Sequence, residues 1–315
     1  MFQYISRRIL ISIPVLLGVT FLNFLLIYFA PGDPSELSQN PNATEADRIL
    51  RKEMLGLNDP FIIQYLKWFY GLLQGDLGTS FTSFQPVATM IMERLGPTLI
   101  LMVSSVIVSY LIAIPIGILS AVKQYSWMDY VATTGSFLGV SIPNFFFGLG
   151  SIYVFGVVFG ILPTGGMNTV GQTGLGDLLL HLILPTLTLA TALAGGMVRY
   201  VRSSVLEVLG QDFLRTARAK GMKEAVVINK HALKNALIPI ITIVGMDVPL
   251  LIGGSVIVET VFQWPGMGQL TIQSILSRDY PTLMAINLIA AICVFLGNIW
   301  ADVMYAAVDP RVKYN

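Results

Sequence analysis

Apolar residues run through this chain in long unbroken blocks, with no strict alternation, so helices are expected and a strand-built barrel is not. Ile9 to Ala30 is 22 residues without a charge. Leu95 to Val122 is a second such block, with its helix predicted to start near Thr98, just after Pro97. Tyr130 to Gly176 carries no charge either; its first part, to about Leu162, reads as one helix that the Pro163-Thr164-Gly165-Gly166 turn ends. Leu178–Val198 is the fourth span, Asn235–Ile257 the fifth, and Tyr280 to about Val308 the sixth. A bilayer core about 30 Å thick needs ~20 apolar helical residues, a length each block reaches. The predicted fold class is an all-α polytopic membrane protein with six transmembrane helices.

The polar segments divide the chain into an N-terminal helix (1–30), an outer loop with short helices (31–94), a five-helix core (95–308) and a short tail (309–315). In the outer loop, Thr44-Glu45-Ala46-Asp47 starts one helix and Gly56 stops it, while Asp59-Pro60 starts another with Pro at its first position. The stripe Ile62, Leu66, Phe69, Leu73 is expected to be its apolar face, and Gly75 and Gly78 close it. The loop reads as a small cap on the bundle; a docking surface for an external partner is the alternative, and the two roles can coexist.

Composition agrees: 54% of the 315 residues are hydrophobic and 12% are charged, against roughly 25% charged in soluble domains. A disordered chain and a nucleic-acid binder with a broad basic face are excluded. The formal net charge of +1 hides a strong sidedness. With both termini inside, 13 of the 19 Lys and Arg residues fall in inner segments and 11 of the 18 acids in outer ones, which places both termini in the cytoplasm. Arg7 and Arg8 before an apolar stretch resemble a secretory leader. The stretch exceeds the usual ~7–15-residue core of such a leader, so it is expected to stay as an anchor.

No catalytic motif stands out. There is no Gly-Lys pair and hence no phosphate-cradling Walker loop, and His181 and His231 are 50 residues apart. Two spans are interrupted by proline, at Ser141-Ile142-Pro143 and Asp247-Val248-Pro249. Broken helices can line a pathway, since freed backbone groups must face protein or water; a kink that serves packing is the alternative. Asp247, at mid-bilayer, is either pathway-facing or bonded to a neighbouring helix, and Asp302 is read as structural. Pro143, Asp247 and Pro249 are the candidate path residues.

The segment 199–234 carries eight Lys/Arg against three acids. Within it, residues 211–221 read as a short capped helix. Asp212 is expected to accept bonds from the first amides, Arg218 and Lys220 to oppose the negative end of the dipole, and Gly221 to supply the left-handed stop. Phe213 and Ala217 lie one turn apart with Thr216 alongside. Such a rod suits a groove on another protein, or it lies on anionic headgroups.

Here the chain resembles a known family, the permease subunits of type I ABC importers of the oligopeptide/dipeptide branch. Thr216-Ala217-Arg218-Ala219-Lys220-Gly221 is similar to that branch's EAA loop and is followed by His231-Ala232-Leu233-Lys234-Asn235-Ala236-Leu237-Ile238-Pro239. The segments Gly75-Asp76-Leu77-Gly78, Val258-Glu259-Thr260-Val261-Phe262, Trp264-Pro265-Gly266-Met267-Gly268, Arg278-Asp279-Tyr280-Pro281 and Asp309-Pro310-Arg311 extend the resemblance along nearly the whole chain. Arg215 and Thr216 stand where the general motif has Glu and Ala, which puts in doubt any salt bridge assigned to that glutamate.

The resemblance implies a type I permease fold in a prokaryotic cell membrane, paired with a second, homologous permease as a heterodimer. It implies two cytoplasmic ATPase subunits that use ATP and Mg, an extracellular peptide-binding protein, and no cofactor on this chain. Asp212, Phe213, Thr216, Ala217, Arg218, Lys220 and Gly221 match the ATPase-coupling loop. Relatives of this branch carry nickel or glutathione, so the cargo stays open. A proton-coupled carrier and a membrane scaffold are the readings from other classes.

Overall fold

The computed structural model describes residues 2–30, 45–54, 56–172, 174–237, 243 and 254–308, and the side chains of 2–7, 9, 45, 47, 48, 51 and 301–308 are outside that set. Asp247 and Pro249, and with them most of the fifth span, fall outside the described residues. Among the described residues four helices are long and apolar enough to cross a membrane, and a bent pair counts as a fifth.

The N-terminal helix α1 (Phe2–Tyr28) exposes Leu10, Leu22 and Leu26, as a helix surrounded by lipid does. The outer loop folds into α2 (Glu45–Met54) and α3 (Phe61–Leu73), with Pro60 at the cap of α3, one position before its first residue. The face of α3 that meets the bundle is not the expected stripe. Ile62, Leu66 and Leu73 are exposed, while Phe61 and Tyr65 pack edge-on against Phe21 and Phe24 of α1. The aromatic edge wins because flat rings fill the gap beside α1 and the Tyr65 hydroxyl reaches Thr20 at 3.1 Å.

The spine is a pair of long helices, α4 (Val87–Val122) and α7 (Leu175–Leu209). Ala113, Ala121, Ala194, Val198 and Val201 form the buried seam between them. A Cβ on Gly117 would lie 2.7 Å from Val201 Cβ, so glycine is what lets the backbones approach there. The expected start of α4 near Thr98 is corrected: the helix begins at Val87 and runs through Pro97. Proline inside a helix is tolerated when the surroundings hold the turn, and here Trp264 Nε1 donates to Pro97 O at 2.9 Å while Thr98 is bonded from two sides.

The third span is also corrected. It starts earlier, at Trp127, as α5 (Trp127–Ser141), and turns by 98° into α6 (Asn144–Ser151) and a π-helical segment, Ile152–Val158. Ile142 precedes a proline and takes the extended conformation (φ −78°, ψ 120°) that such residues favour, so the chain cannot continue as one helix.

Beyond α7 come α8 (Asp212–Ala219), α9 (Glu224–Val226) with a π-helical turn Val227–Ala232, then α10 (Val256–Val261), α11 (Met267–Leu276) and α12 (Tyr280–Val308). The last matches the predicted sixth span, and α12 packs along α1. Asp302 falls within α12, but its side chain is outside the described set.

Two buried carboxylates fasten the end of the bundle opposite α8. Glu259, fully buried, accepts from Thr98 Oγ1 (2.9 Å) and from the amides of Gly268 (2.7 Å) and Gln269 (3.2 Å). Asp279 accepts from Ser80 Oγ (2.6 Å), Phe81 N (2.9 Å) and Thr282 Oγ1 (2.7 Å). Each joins segments far apart in sequence, and a buried polar side chain is tolerated where its hydrogen bonds are made.

Candidate coupling loop and membrane path

The short helix α8 follows α7 after a two-residue turn. Gln211 takes the cap position in an extended conformation and its side chain makes no capping bond. Asp212 therefore sits one place too late to cap; its carboxylate lies 3.4 Å from Arg215 Nη1 on the exposed surface. The expectation that Asp212 satisfies the first amides is corrected accordingly. Gly221 behaves as read, with φ +75° and its amide bonded to Arg218 O at 2.9 Å.

Burial divides the helix into two faces. Leu214 (0% exposed) and Ala217 (8%) pack on Val227 and Ala232, with Val208 and Leu209 of α7 against them. Phe213, Arg215, Thr216, Arg218 and Lys220 stay exposed. Phe213 and Ala217 thus point to different surroundings: the first to solvent, the second into the loop's own small core. Thr216 Oγ1 donates back to Asp212 O at 3.1 Å.

Sequence reading missed the partner of Arg218. Its guanidinium spans the Gly221 turn and donates to both oxygens of Glu224, at 2.8 Å from Nη2 and 3.1 Å from Nε. Hydrogen bonding to Glu224 raises the Arg218 pKa above its ordinary value, and the same bonds hold the Glu224 carboxyl below the usual range. Arg218 stands in the last turn of α8, as expected, and also ties α8 to α9. A Glu in the first turn after Lys223 was the available signal.

The loop is tied to the bundle. Ser204 Oγ on α7 donates to Ala236 O at 2.9 Å, both residues being buried. Two residues earlier, Arg202 grips Asp129 of α5 with two bonds, at 2.7 and 2.8 Å. Asp129 also accepts from Ser120 Oγ and from Tyr125 N (2.9 Å), so α4, α5 and α7 meet at one carboxylate. Nothing in the spacing of residues 129 and 202 announced this pair.

Of the candidate path residues, Pro143 stands exposed at the bend between α5 and α6. His181 and Asp177 lie at the far end of α7, where Asp177 accepts from Thr169 N and Oγ1, both at 2.7 Å. Among the described residues no three His, Cys, Asp or Glu side chains gather to hold a metal ion.

Membrane-length helices, with a further sharply bent pair, and a short basic helix packed at the end of the spine define a polytopic membrane protein. Comparison with known families makes this specific: the chain belongs to the binding-protein-dependent transport system inner membrane components. That family's model matches residues 113–314, and its N-terminal companion matches residues 1–103.

The oligopeptide transport system permease protein AppB of Bacillus subtilis is 51% identical over 316 residues, covering all of both chains. A putative peptide permease protein of Brucella suis is 42% identical over 99% of each chain, and the glutathione transport system permease protein GsiC of Salmonella typhimurium is 41% identical over all of both. Among solved structures, an inward-facing MetNI methionine ABC transporter matches with TM-score 0.57 and 18% identity, over 70% of this chain and 97% of that one. The fold is that of a type I ABC importer permease.

Proposed function

We propose that this chain is one membrane-spanning permease subunit of an ATP-driven peptide importer, and that α8 is where cytoplasmic ATPase subunits grip it. The carrying observation is the construction of α8: a basic helix whose inner face packs on Val227 and Ala232, with Val208 and Leu209 of α7 alongside, and whose outer face is exposed. Full-length similarity to peptide permeases supports the cargo class.

In this reading both termini and α8 are cytoplasmic, and ATP and Mg are used by the partner subunits. A second, homologous permease completes the path, and an external binding protein delivers the peptide. Phe213, Thr216 and Lys220 offer the contact surface; Leu214 and Ala217 hold it at a fixed angle, and Gly221 with Arg218 sets the exit of the chain. A sideways push on α8 passes to α7 through Val208 and Leu209, and from α7 to α5 through Arg202–Asp129. There it reaches the helix that bends at Pro143. The fifth span, with Asp247 and Pro249, is the further element such a push would turn.

The test is purification with the neighbouring gene products, then transport of a labelled tripeptide into vesicles. Co-purifying ATPase subunits and uptake that stops on ATP depletion support the reading. Uptake that ignores ATP but collapses with a protonophore would identify a carrier instead. Glutathione is a second cargo because GsiC is 41% identical over its full length; competition between labelled tripeptide and glutathione decides between them.

A further inference from the structure

Between α4, α5 and α7, on the face of α7 away from Met197 and Tyr200, a groove of about 550 Å³ opens along the bundle. On α4 it runs from Ile112 to Leu119, about 10 Å at ~1.5 Å rise per residue. Three polar side chains reach it and all are spent within their own surroundings. Ser120 donates to Asp129, Ser136 to Ala132 O at 2.6 Å, and Thr191 to Leu187 O at 2.7 Å. A peptide backbone lying here would leave its amides and carbonyls without partners, whereas a hydrocarbon chain loses nothing.

The two ends of the groove differ. Toward α8's end of the bundle it reaches Trp127 and Met128, and Lys123 Nζ stands 3.7 Å from Met128 Sδ. A thioether is a weak acceptor, and Lys123 is exposed and makes no ion pair among the described residues. The nearby carboxylate, Asp129, is already held by Arg202. An apolar slot closed by an aromatic ring and an uncommitted ammonium at one end is complementary to a molecule with an apolar tail and an anionic head. A helix from another subunit would fill the slot but would leave Lys123 unanswered.

We propose that this groove binds one acyl chain of an anionic phospholipid, with its phosphate on the Lys123 ammonium and its glycerol backbone beside Trp127. The lipid completes the wall where α4, α5 and α7 meet at Asp129. Gly135 lines the slot and a Cβ added there meets no atom within 4 Å, so Gly135→Leu is the substitution that places apolar bulk in the slot.

The experiment is native mass spectrometry of the complex after equilibration with vesicles of equal phosphatidylglycerol and phosphatidylcholine. Wild type is expected to retain phosphatidylglycerol in preference. Gly135→Leu should lower retained lipid at least five-fold, and Lys123→Gln should bring the two lipids to near parity. Gly150→Leu, whose added side chain also meets open space but on α6, should change neither. Undiminished lipid in Gly135→Leu overturns the proposal, as does a Gly135→Leu complex that loses a partner subunit, which would mark the slot as a helix-docking surface. Should Gly135→Leu fail to fold, Lys123→Gln decides: an unchanged lipid preference overturns the assignment.

Discussion

At the scale of single residues, the membrane core of this protein is held by a few carboxylates that are bonded on every side. Asp129 shows the consequence. Removing one partner of a buried, bonded pair strands the other, a cost of about 3–5 kcal/mol when both are deeply buried. The Arg202 side chain is 25% exposed and can recover some hydration, so about 2 kcal/mol is expected for either Asp129→Asn or Arg202→Gln. Thermal loss of the monodisperse peak on size-exclusion chromatography in detergent reads this out. The double variant should lose less than the sum of the two, because the second change removes a charge that the first had already orphaned.

The exposed Arg218–Glu224 pair behaves differently. The Glu224 pKa is depressed in the folded loop, so the pair's contribution is complete at neutral pH and fades as acid passes below the ordinary carboxylate range. Charge reversal isolates it. Arg218→Glu should reduce uptake, and Arg218→Glu with Glu224→Arg should recover part of it. Absence of any recovery would mean that Arg218 acts on another subunit and not on Glu224.

At the scale of elements, what local chemistry dictates was legible and what distant packing dictates was not. The length of α12, the stop at Gly221 and the break at Pro143 follow from apolar runs, a left-handed glycine and a pre-proline residue, and the structure carries all three. The start of α4 was misread because Pro97 ordinarily marks a boundary, and here Trp264 and Glu259, more than 160 residues later, hold the turn. The face of α3 was misread because an aromatic edge on α1 outcompetes an aliphatic stripe.

The orientation of α8 belongs to the same class, since Leu214 is buried by Val227 and Ala232, beyond the helix itself. That yields a contrast between neighbours. Leu214→Ala leaves a cavity in a small core and should cost roughly 2–3 kcal/mol locally, loosening α8 and lowering uptake even where ATPase subunits still attach. Phe213→Asp, next door but exposed, should leave the thermal transition unchanged and abolish co-purification of the ATPase subunits. Equal behaviour of the two variants would remove the distinction between the inner and outer faces.

At the scale of the whole molecule, orientation in the bilayer decides the mechanism, because a cytoplasmic ATPase can grip α8 only if α8 is inside. Eight Lys/Arg lie in 199–234, and basic segments of this length stay on the cytoplasmic side of a membrane. The loop that carries Val170, between the π-helical segment and α7, has no charge from Leu162 to Gly176 and lies at the opposite end of α7. Val170 is fully exposed, and Lys220 is exposed at the end of α8. The chain's single cysteine, Cys293, is buried within α12 and can be replaced by serine to give a silent background. On that background, Val170→Cys should react with a membrane-impermeant maleimide in intact cells, whereas Lys220→Cys should react only after lysis. Labelling of Lys220→Cys in intact cells would put the basic end outside, where no cytoplasmic ATPase can reach α8.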